Sequence, residues 1–299
     1  MITFSQLGTY GRLGNQLFQI AATIGIAKKS NHSFVFPKWK YSGYFLNALP
    51  EGSLPGAKKY RQAHPWYYPI ELDYRNWDLE GYFQSELFFA EEKDLIRHYF
   101  KPVKEIDEYI SHKYGSLLKD NTCSVHVRRA DYLKFNLTYP PLSKSYYDAA
   151  MSAFNNDTLF IFFSDDINWC RKNFTGKNLY FMSGESEIND LFLMSKCKSH
   201  IIANSSFSWW GAWLNPDERK KVIAPSYWFG PASTIHYKKR NQSILSSGIQ
   251  VISDTKEPGP LHSFFIYLYS KTSYFLVYKL KNIIPAFIRN KMSQKLNMK

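Results

Sequence analysis

Two adjacent arginines carry the strongest indication of chemistry in this sequence. Arg128 and Arg129 follow an apolar run within the string HVRRAD, residues 126–131. Ligands of open α/β sheets bind at the carboxyl ends of strands, and a guanidinium fork binds two phosphate oxygens while it stays cationic. Buried arginines need an anion, so the motif predicts a clamp for a diphosphate. The alternative is that one arginine pairs with Asp131 and the other is solvated.

A second polar string follows another apolar run. Asn204, Ser205 and Ser206 lie near the start of ANSSFSWWGAW, residues 203–213, where a helix is expected to begin. Hydroxyls and free backbone N–H groups at a helix start form a cradle for an anion, because the helix dipole is positive there. The tryptophans of this string are open to a role in core packing, which we expect at least for Trp213.

A glycine-rich string connects the expected first strand to the expected first helix. It reads GTYGRLGNQ over residues 8–16, and its glycines let backbone N–H groups approach a phosphate. It is neither a Walker loop nor a GxGxxG fingerprint. Because many such turns merely reverse the chain, a binding role and a purely structural role both remain open.

Together, the three strings supply glycines, paired arginines and hydroxyls at strand ends, without a carboxylate pair of the kind that holds a metal ion. This set of groups indicates a nucleotide-sugar site in which protein cations replace a divalent ion. We therefore expect no metal and no cofactor, with the nucleotide sugar bound as a substrate.

Short apolar runs alternate with helical spacing along the chain, which is typical of α/β architecture. In the first half we expect strands at 2–4, 34–36 and 80–83, a helix at 15–29, loops between 37 and 77, and a helix capped by Ser85. In the second half we expect strands at 123–127, 159–163, 179–181, 200–203 and 222–224, and helices at 145–154, 166–174, 188–197 and 208–214. Ser164 and Asp165 would cap the helix at 166. A domain boundary is expected at residues 120–121.

Bulk composition narrows the class of protein. A chain of 299 residues is long for one compact core, so two domains are expected. The 44% apolar and 21% charged residues are typical of globular proteins, and the 18% aromatic share suits both stable cores and sugar binding. A net charge of +13 favours anionic partners.

Cysteine usage and hydropathy bear on location. Three cysteines without CxxC spacing indicate neither a disulfide framework nor a structural zinc site, and they fit a reducing compartment. We recognise no signal peptide and no apolar run of membrane-spanning length, so a cytoplasmic location is expected.

The C-terminal segment, residues 259–299, has a composition of its own. From Leu261 onward it contains seven lysines or arginines and no acidic residue, mixed with aromatic and aliphatic side chains. We expect such a basic amphipathic segment to lie on an anionic membrane surface, the inner face of the plasma membrane. The alternative is a helix that packs back on the protein with its lysines solvated. Co-sedimentation with anionic vesicles separates the two.

The three strings together resemble the family-11 glycosyltransferases, the α-1,2-fucosyltransferases. The resemblance runs from the first expected strand to about Lys221 and includes GYFQSE, residues 81–86, and FSDD, residues 163–166. It implies a GT-B fold, in which two facing Rossmann-like domains enclose a cleft, followed here by the basic aromatic segment. Residues 1–120 would form the acceptor side, and residues 121–258 would bind GDP-fucose. The implied reaction is inverting and metal-independent.

The resemblance also implies roles for individual positions. At least one arginine of the first string would grip the diphosphate, and Asp131 is the nearest candidate for a base, unless it orients Arg129 instead. No carboxylate stands at residues 133–136, where related fucosyltransferases place one, so the base is not assigned. The implied donor-binding positions are His126 and Asp190 for guanine, Asn204, Ser205, Ser206 and Phe207 for the phosphate and sugar, and Gly11, Gly14, Asn15 and Gln16 on the opposing loop.

The expected function is transfer of L-fucose from GDP-fucose to the 2-hydroxyl of a galactose-terminated oligosaccharide or lipid-linked glycan, in bacterial surface polysaccharide synthesis. A fucosyltransferase of another linkage, or a transferase that uses another GDP-sugar, is the alternative among enzymes. A basic nucleic-acid-binding protein would need cations along one face, but those outside the C-terminal segment are scattered, so no nucleic-acid partner is expected. A non-catalytic carbohydrate-binding module would not need the phosphate-type loops.

Overall fold

The computed structural model describes residues 1–118, 121–233, 236–245, 248–254, 263–268 and 271. The first half is built on a four-stranded parallel sheet in the order β2-β1-β4-β3. Its elements are β1 Ile2–Thr3, α1 Leu13–Lys29, β2 Phe34–Val35, β3 Lys58–Arg61, β4 Trp77–Glu80, α2 Lys93–Tyr99 and α3 Lys104–Tyr114. Short 3₁₀ turns lie at Ser42–Tyr44, Glu86–Phe88 and Ala90–Glu92.

The second half contains a six-stranded parallel sheet in the order β10-β9-β8-β5-β6-β7. Its elements are β5 Thr122–Val127, α4 Lys144–Met151, β6 Leu159–Ser164, α5 Ile167–Asn173, β7 Leu179–Phe181, α6 Glu187–Ser195, β8 Ser199–Ile201, α7 Ser206–Leu214, β9 Val222–Pro225, α8 Tyr237–Ile244 and β10 Gln250–Ile252. Counted from β5, this is the doubly wound Rossmann order, with the reversal of strand order between the neighbours β5 and β8.

The central strand β5 shows why this half forms a covered parallel sheet. All six of its residues are buried. Cys123, Val125 and Val127 belong to one hydrophobic cluster, which contains α4 and lies on one face of the sheet. The opposite face of the sheet packs against the larger hydrophobic cluster, which also contains most of the buried apolar side chains of the first half. The polar residues that alternate with these three in β5 are buried as well, because both faces of this sheet are covered.

Aromatic side chains join the two halves through a shared core. The ring of Phe18 in α1 lies 4.5 Å from Trp209 and 5.0 Å from Trp210 in α7, measured between centroids. Phe89 stacks on Trp210 at 5.7 Å. Helix α1 is buried almost throughout from Leu13 to Ala27, because elements of both halves pack against it. The expected core role of Trp213 is confirmed and extends to Trp209 and Trp210, since all three side chains are buried.

The predicted fold class is confirmed: the protein is an α/β protein of GT-B type, with two parallel α/β halves that enclose a cleft. The five strands predicted in the second half all form, with ends shifted by a few residues. The prediction of loops throughout 37–77 was wrong, because β3 lies within that range. Its four residues read KKYR and none is buried, so this edge strand lacks the apolar alternation that marks a strand.

Other predicted elements differ locally from the structure. The strand predicted at 80–83 is β4, which ends at Glu80. Ser85 precedes a 3₁₀ turn, not a helix, and its hydroxyl makes no capping hydrogen bond. Helix α5 is capped not by Ser164 or Asp165 but by Asp166, whose carboxylate accepts a hydrogen bond from Trp169 N at 3.2 Å. Helices α2, α3 and α8 and strand β10 were not predicted.

Most of the segment 259–299 lies outside the described residues, so its predicted membrane contact is not addressed by the structure. In the described stretch 263–268, Phe264 and Phe265 are exposed. Within the part of the chain that the structure describes, no helix combines the length and apolarity needed to cross a membrane.

Candidate active site

A cavity of about 460 Å³ opens at the carboxyl ends of β5 and β8 and is closed by the first half of the chain. This position is the switch point of the second sheet, where the loops after two neighbouring strands run in opposite directions and leave a crevice. The string after β5, the glycine-rich loop and the N-terminus of α7 all line the cavity, as does the segment after β4. The structure therefore brings the three sequence strings to one place.

The two halves meet most closely where α1 begins. A Cβ atom added to Gly14 would lie 2.6 Å from the backbone N of Phe207, so no other residue fits without moving the backbone. The side chain of Asn15 bridges this junction: its Oδ1 accepts hydrogen bonds from Ser206 Oγ at 2.9 Å and from Gln84 Nε2 at 2.7 Å. Contact at this point fixes the position of the α7 N-terminus against the first half.

Gln16 forms a hydrogen bond to the glycine-rich loop and does not line the cavity. It is buried, its Nε2 donates to the carbonyl of Gly11 at 2.8 Å, and its Oε1 accepts from Trp39 Nε1 at 2.7 Å. Gly11 itself has φ of +85°, a conformation that favours glycine. The donor contact predicted for Gln16 is therefore replaced by a structural role.

The two arginines after β5 point to opposite sides, as consecutive residues of an extended chain do. Arg128 lines the cavity, with its guanidinium 2.8 Å from Asp131 and 2.9 Å from Asp165. Arg129 lies outside the cavity lining, with its guanidinium 3.9 Å from the centre of the Trp169 ring and 3.6 Å from Asp166.

At least one arginine of the pair was predicted to grip a diphosphate, and in the structure only the guanidinium of Arg128 reaches the cavity, so Arg129 is not placed for that role. The alternative of a solvated arginine is wrong, since both side chains are only 15% exposed. Asp131 orients Arg128, three residues before it, and not Arg129.

The start of α7 forms the second polar wall. The hydroxyl of Ser205 caps the helix by accepting from Phe207 N at 3.4 Å. Asn204 to Phe207 all line the cavity, where the first-turn N–H groups place partial positive charge. Asn204 Nδ2 donates to the carbonyls of Pro140 and Trp228 at 2.8 and 3.0 Å, so this amide positions the loop.

His126 and Asp190 both line the cavity with unsatisfied polar atoms. Burial and then the charge of Arg128 lower the pKa of His126 to about 3, so its imidazole is neutral. Burial and then the charge of Glu185 raise the pKa of Asp190 to about 7. His126 Nδ1 and Asp190 Oδ1 are buried, and neither has a hydrogen-bond partner in the described structure. Buried polar atoms without partners are costly, so both atoms are suited to a polar ligand.

A wall of aromatic side chains was not predicted. Tyr82 follows β4 in a turn where Gly81 and Phe83 have φ of +156° and +47°. Gln62 holds this turn, since its Oε1 accepts from the backbone N of both Tyr82 and Phe83 at 3.0 Å. Left-handed backbone at a residue other than glycine is strained and often marks a functional site. The string GYFQSE contains this turn, but nothing in its letters shows which side chains reach the cavity.

The remaining part of the wall comes from segments far apart in the chain. The additional lining residues are Tyr132, Phe135, Tyr139, Trp228, Phe229 and Arg240. The rings of Tyr132 and Tyr139 stack at 5.4 Å, and Tyr139 lies 6.2 Å from Phe229. Arg240, in α8, donates to Gln84 Oε1 at 3.3 Å. In the sequence, the adjacent aromatic residues after β9 could have indicated that Trp228 and Phe229 line the site. No comparable feature of the sequence marks Arg240.

The described residues contain no group of three or more His, Cys, Asp or Glu side chains placed to hold a metal ion. A cavity at the switch point of a Rossmann sheet, with a helix N-terminus and a buried arginine on one side and aromatic rings on another, suits a phosphorylated sugar nucleotide. The fold and the site together are typical of a glycosyltransferase.

The comparisons identify the family. The profile of Glycosyl transferase family 11 matches residues 26–243, so the chain belongs to this family. It is 34% identical over 211 residues to the O-antigen biosynthesis glycosyltransferase WbnK of Escherichia coli, which covers 64% of this chain and 68% of the relative.

Two further relatives carry different donor names. An alpha-1,2-colitosyltransferase of Escherichia coli is 36% identical over 167 residues, covering 50% of this chain and 55% of the relative. Galactoside 2-alpha-L-fucosyltransferase SEC1 of Bos taurus is 25% identical over 234 residues, covering 68% of this chain and 62% of the relative. The chain thus spans between about half and two thirds of the length of these relatives.

Proposed function

We propose that this chain transfers L-fucose from GDP-β-L-fucose to the 2-hydroxyl of a galactose-type residue, with inversion at the anomeric carbon. The observation that carries the proposal is the convergence of Arg128, the α7 N-terminus and the pair His126 and Asp190 on one cavity in a family-11 chain. Relatives named for α-1,2 transfer and for O-antigen synthesis support the linkage and a role in bacterial surface polysaccharide synthesis.

The guanine ring is proposed to bind beside His126 and Asp190. One edge of guanine carries two N–H donors, and an ionised carboxylate accepts both. The unpartnered Oδ1 of Asp190 provides such an acceptor, and neutral His126 adds a ring nitrogen that donates or accepts. Phe207, whose ring lies 5.6 Å from His126, offers an apolar surface at the same place.

The diphosphate is proposed to lie against the start of α7 and Arg128. When the acceptor 2-hydroxyl attacks the anomeric carbon in line, the bond to the β-phosphate oxygen breaks and negative charge grows on that phosphate. Fixed donors aimed at growing charge lower the barrier most, because they need no reorganisation during the reaction. Arg128 is such a donor, since Asp131 and Asp165 hold its guanidinium in place.

The acceptor is proposed to bind along the aromatic wall. Rings pack well on the C–H faces of a pyranose, and Tyr82 and Tyr139 are among the residues that line the cavity. Asp131 Oδ1 has no hydrogen-bond partner in the described structure, so Asp131 is the proposed acceptor of the proton from the 2-hydroxyl.

The test is incubation with GDP-fucose and a set of galactose-terminated oligosaccharides, followed by mass and linkage analysis of the product. An α-1,2-linked fucosyl galactoside supports the proposal, and Asp131→Asn should lose turnover but retain GDP binding. A product of another linkage, or no transfer with any acceptor while GDP-fucose is bound, contradicts it.

A second donor deserves a place in the same assay. The relative named as a colitosyltransferase favours GDP-colitose, the 3-deoxy counterpart of GDP-fucose, as an alternative. Higher kcat/KM with GDP-colitose than with GDP-fucose would assign the chain to that donor.

A further inference from the structure

Arg240 differs from the other cavity-lining cations in its partners. Arg12 lies 3.7 Å from Asp131, and Arg128 contacts both Asp131 and Asp165. Arg240 forms no ion pair within 4.0 Å with any Asp or Glu among the described residues. Among the described residues, Arg240 is therefore the cavity-lining arginine that has no carboxylate partner.

The guanidinium of Arg240 is held in a fixed orientation. Its central carbon lies 3.5 Å from the centre of the Phe229 ring, and its Nη2 donates to Gln84 Oε1 at 3.3 Å. Asn241, the next residue of α8, fixes the helix to the same segment, because its Oδ1 accepts from Phe229 N at 2.7 Å. The Nε of Arg240 is buried and has no hydrogen-bond partner in the described structure. A planar group fixed in this way keeps donors free for a ligand.

Burial without a counter-charge is unfavourable for the free protein. Burial lowers the pKa of the Arg240 guanidinium, and the groups that oppose this shift are the side chains of Tyr139 and Tyr82, not a carboxylate. A buried unpaired cation costs free energy, and an anion from a substrate offsets that cost. The site therefore favours a negatively charged ligand group next to Arg240.

Hydrogen bonds connect Arg240 to the start of α7. Gln84 accepts from Arg240 and donates to Asn15 at 2.7 Å, and Asn15 accepts from Ser206 at 2.9 Å. Two side chains thus separate Arg240 from the helix N-terminus at which the diphosphate is proposed to bind. Within a GDP-sugar the diphosphate carries the negative charge, so it is the group that this arginine would meet.

We propose that Arg240 binds the β-phosphate of the donor, together with the N-terminus of α7. This inference rests on the proposed function and adds a binding residue that the arginine-containing string HVRRAD does not include. It accounts for an arginine at this position, because the guanidinium edge binds two phosphate oxygens and a lysine ammonium does not.

Binding of GDP and of GMP by calorimetry tests the inference, because the two ligands differ only in the β-phosphate. Arg240→Gln should weaken GDP binding by about tenfold to a hundredfold, the usual range for a hydrogen bond to a charged group, and should leave GMP binding within about threefold. Arg240→Lys should recover part of the loss. The matched control is Lys239→Gln, which removes the same charge from an exposed neighbouring position beside Trp66, outside the cavity.

The outcomes separate this inference from the function on which it rests. Equal loss for GDP and GMP, or no loss for either, overturns the role of Arg240 while GDP binding by the unaltered chain leaves the proposed function intact. An unaltered chain that binds no GDP contradicts the proposed function itself. Thermal unfolding of each variant identifies a general loss of folding, for which the GDP and GMP affinities would fall together.

Discussion

At the scale of single residues, two nearby carboxyl groups have opposite environments. Hydrogen bonds from Lys113 and Tyr114 outweigh burial and hold the pKa of Glu185 at about 2, so this carboxylate is charged. Among the described residues Asp190 has no such partner, and burial and the charge of Glu185 raise its pKa to about 7. The ionised carboxylate that is proposed to bind guanine therefore forms as the pH is raised through about 7.

We expect the affinity for GDP to rise as the pH is raised through about 7, because guanine N–H groups bind the ionised form of Asp190. His126, with a pKa of about 3, stays neutral over this range and does not contribute. Calorimetric titration between about pH 5.5 and 8.5 measures the dependence. Because the terminal phosphate of GDP also titrates at about pH 6, the comparison is with Asp190→Asn, which should bind GDP weakly and with a smaller slope. An equal slope in that variant would contradict the assignment.

The arginine pair gives a second expectation, since only Arg128 reaches the cavity. Arg128→Ala should lower kcat by about 10²–10³ by removing a donor to the leaving phosphate. Arg129→Ala removes a cation that lies over Trp169, so it should lower the melting temperature and leave kcat within about tenfold. Steady-state kinetics and thermal unfolding of both variants measure these effects. If Arg129→Ala lowers kcat more than Arg128→Ala does, Arg129 and not Arg128 is the arginine that binds the leaving phosphate.

Sequence reasoning located the loops of the site more reliably than the side chains within them. The strings around Arg128 and Ser205 were found because polar residues interrupt apolar runs at strand ends. Which arginine faces inward depends on the pleat at the end of β5, and its register depends on pairing with β6 and β8. Arg240 and Gln84 meet only through the tertiary fold, since 156 positions separate them.

At the scale of elements, the junction between α1 and α7 sets the geometry of the site. Gly14→Ala should destabilise the protein by about 1–3 kcal/mol, because the added methyl group meets backbone atoms of Ser206 and Phe207. This clash outweighs the gain of up to about 1 kcal/mol that alanine brings to a helix. GDP affinity should also fall as the start of α7 moves. Chemical denaturation and calorimetry give the two quantities.

Gly43→Ala is the matched control for this substitution. A Cβ atom at Gly43 has no neighbour within 4 Å, so the expected change in stability is within about 0.5 kcal/mol. Equal stability of the two variants would mean that the halves are less tightly joined at Gly14 than the structure shows.

The elements also show where apolar periodicity is informative. Strands β6 and β9 could be predicted because they are short apolar runs within a sheet covered on both faces. Strand β3 could not, since its exposed lysines and arginine are typical of an edge. The turn at Phe83 could not be predicted either, because its positive φ is imposed by Gln62 from a different strand segment.

At the scale of the whole molecule, the two sheets share one core. The hydrophobic cluster that contains Phe18 and Phe89 also contains Trp209, Trp210 and Phe192 from the second half. Burial of these large rings contributes to the stability of both halves at once. The cleft therefore lies between two halves that are joined by an aromatic core beneath it.

We expect the described halves to unfold together, because neither can expose this core while the other stays folded. Tryptophan fluorescence and far-ultraviolet circular dichroism should give the same midpoint in guanidinium chloride. Two separated transitions would show that the halves have independent stability.

The switch point between β5 and β8 is proposed to hold the diphosphate of a GDP-sugar. The most direct test is a crystal structure of the protein with GDP bound. We expect the guanine beside Asp190 and His126, and the β-phosphate within hydrogen-bonding distance of the α7 N-terminus and Arg128. A nucleotide bound elsewhere, or phosphates that contact neither group, would contradict the claim.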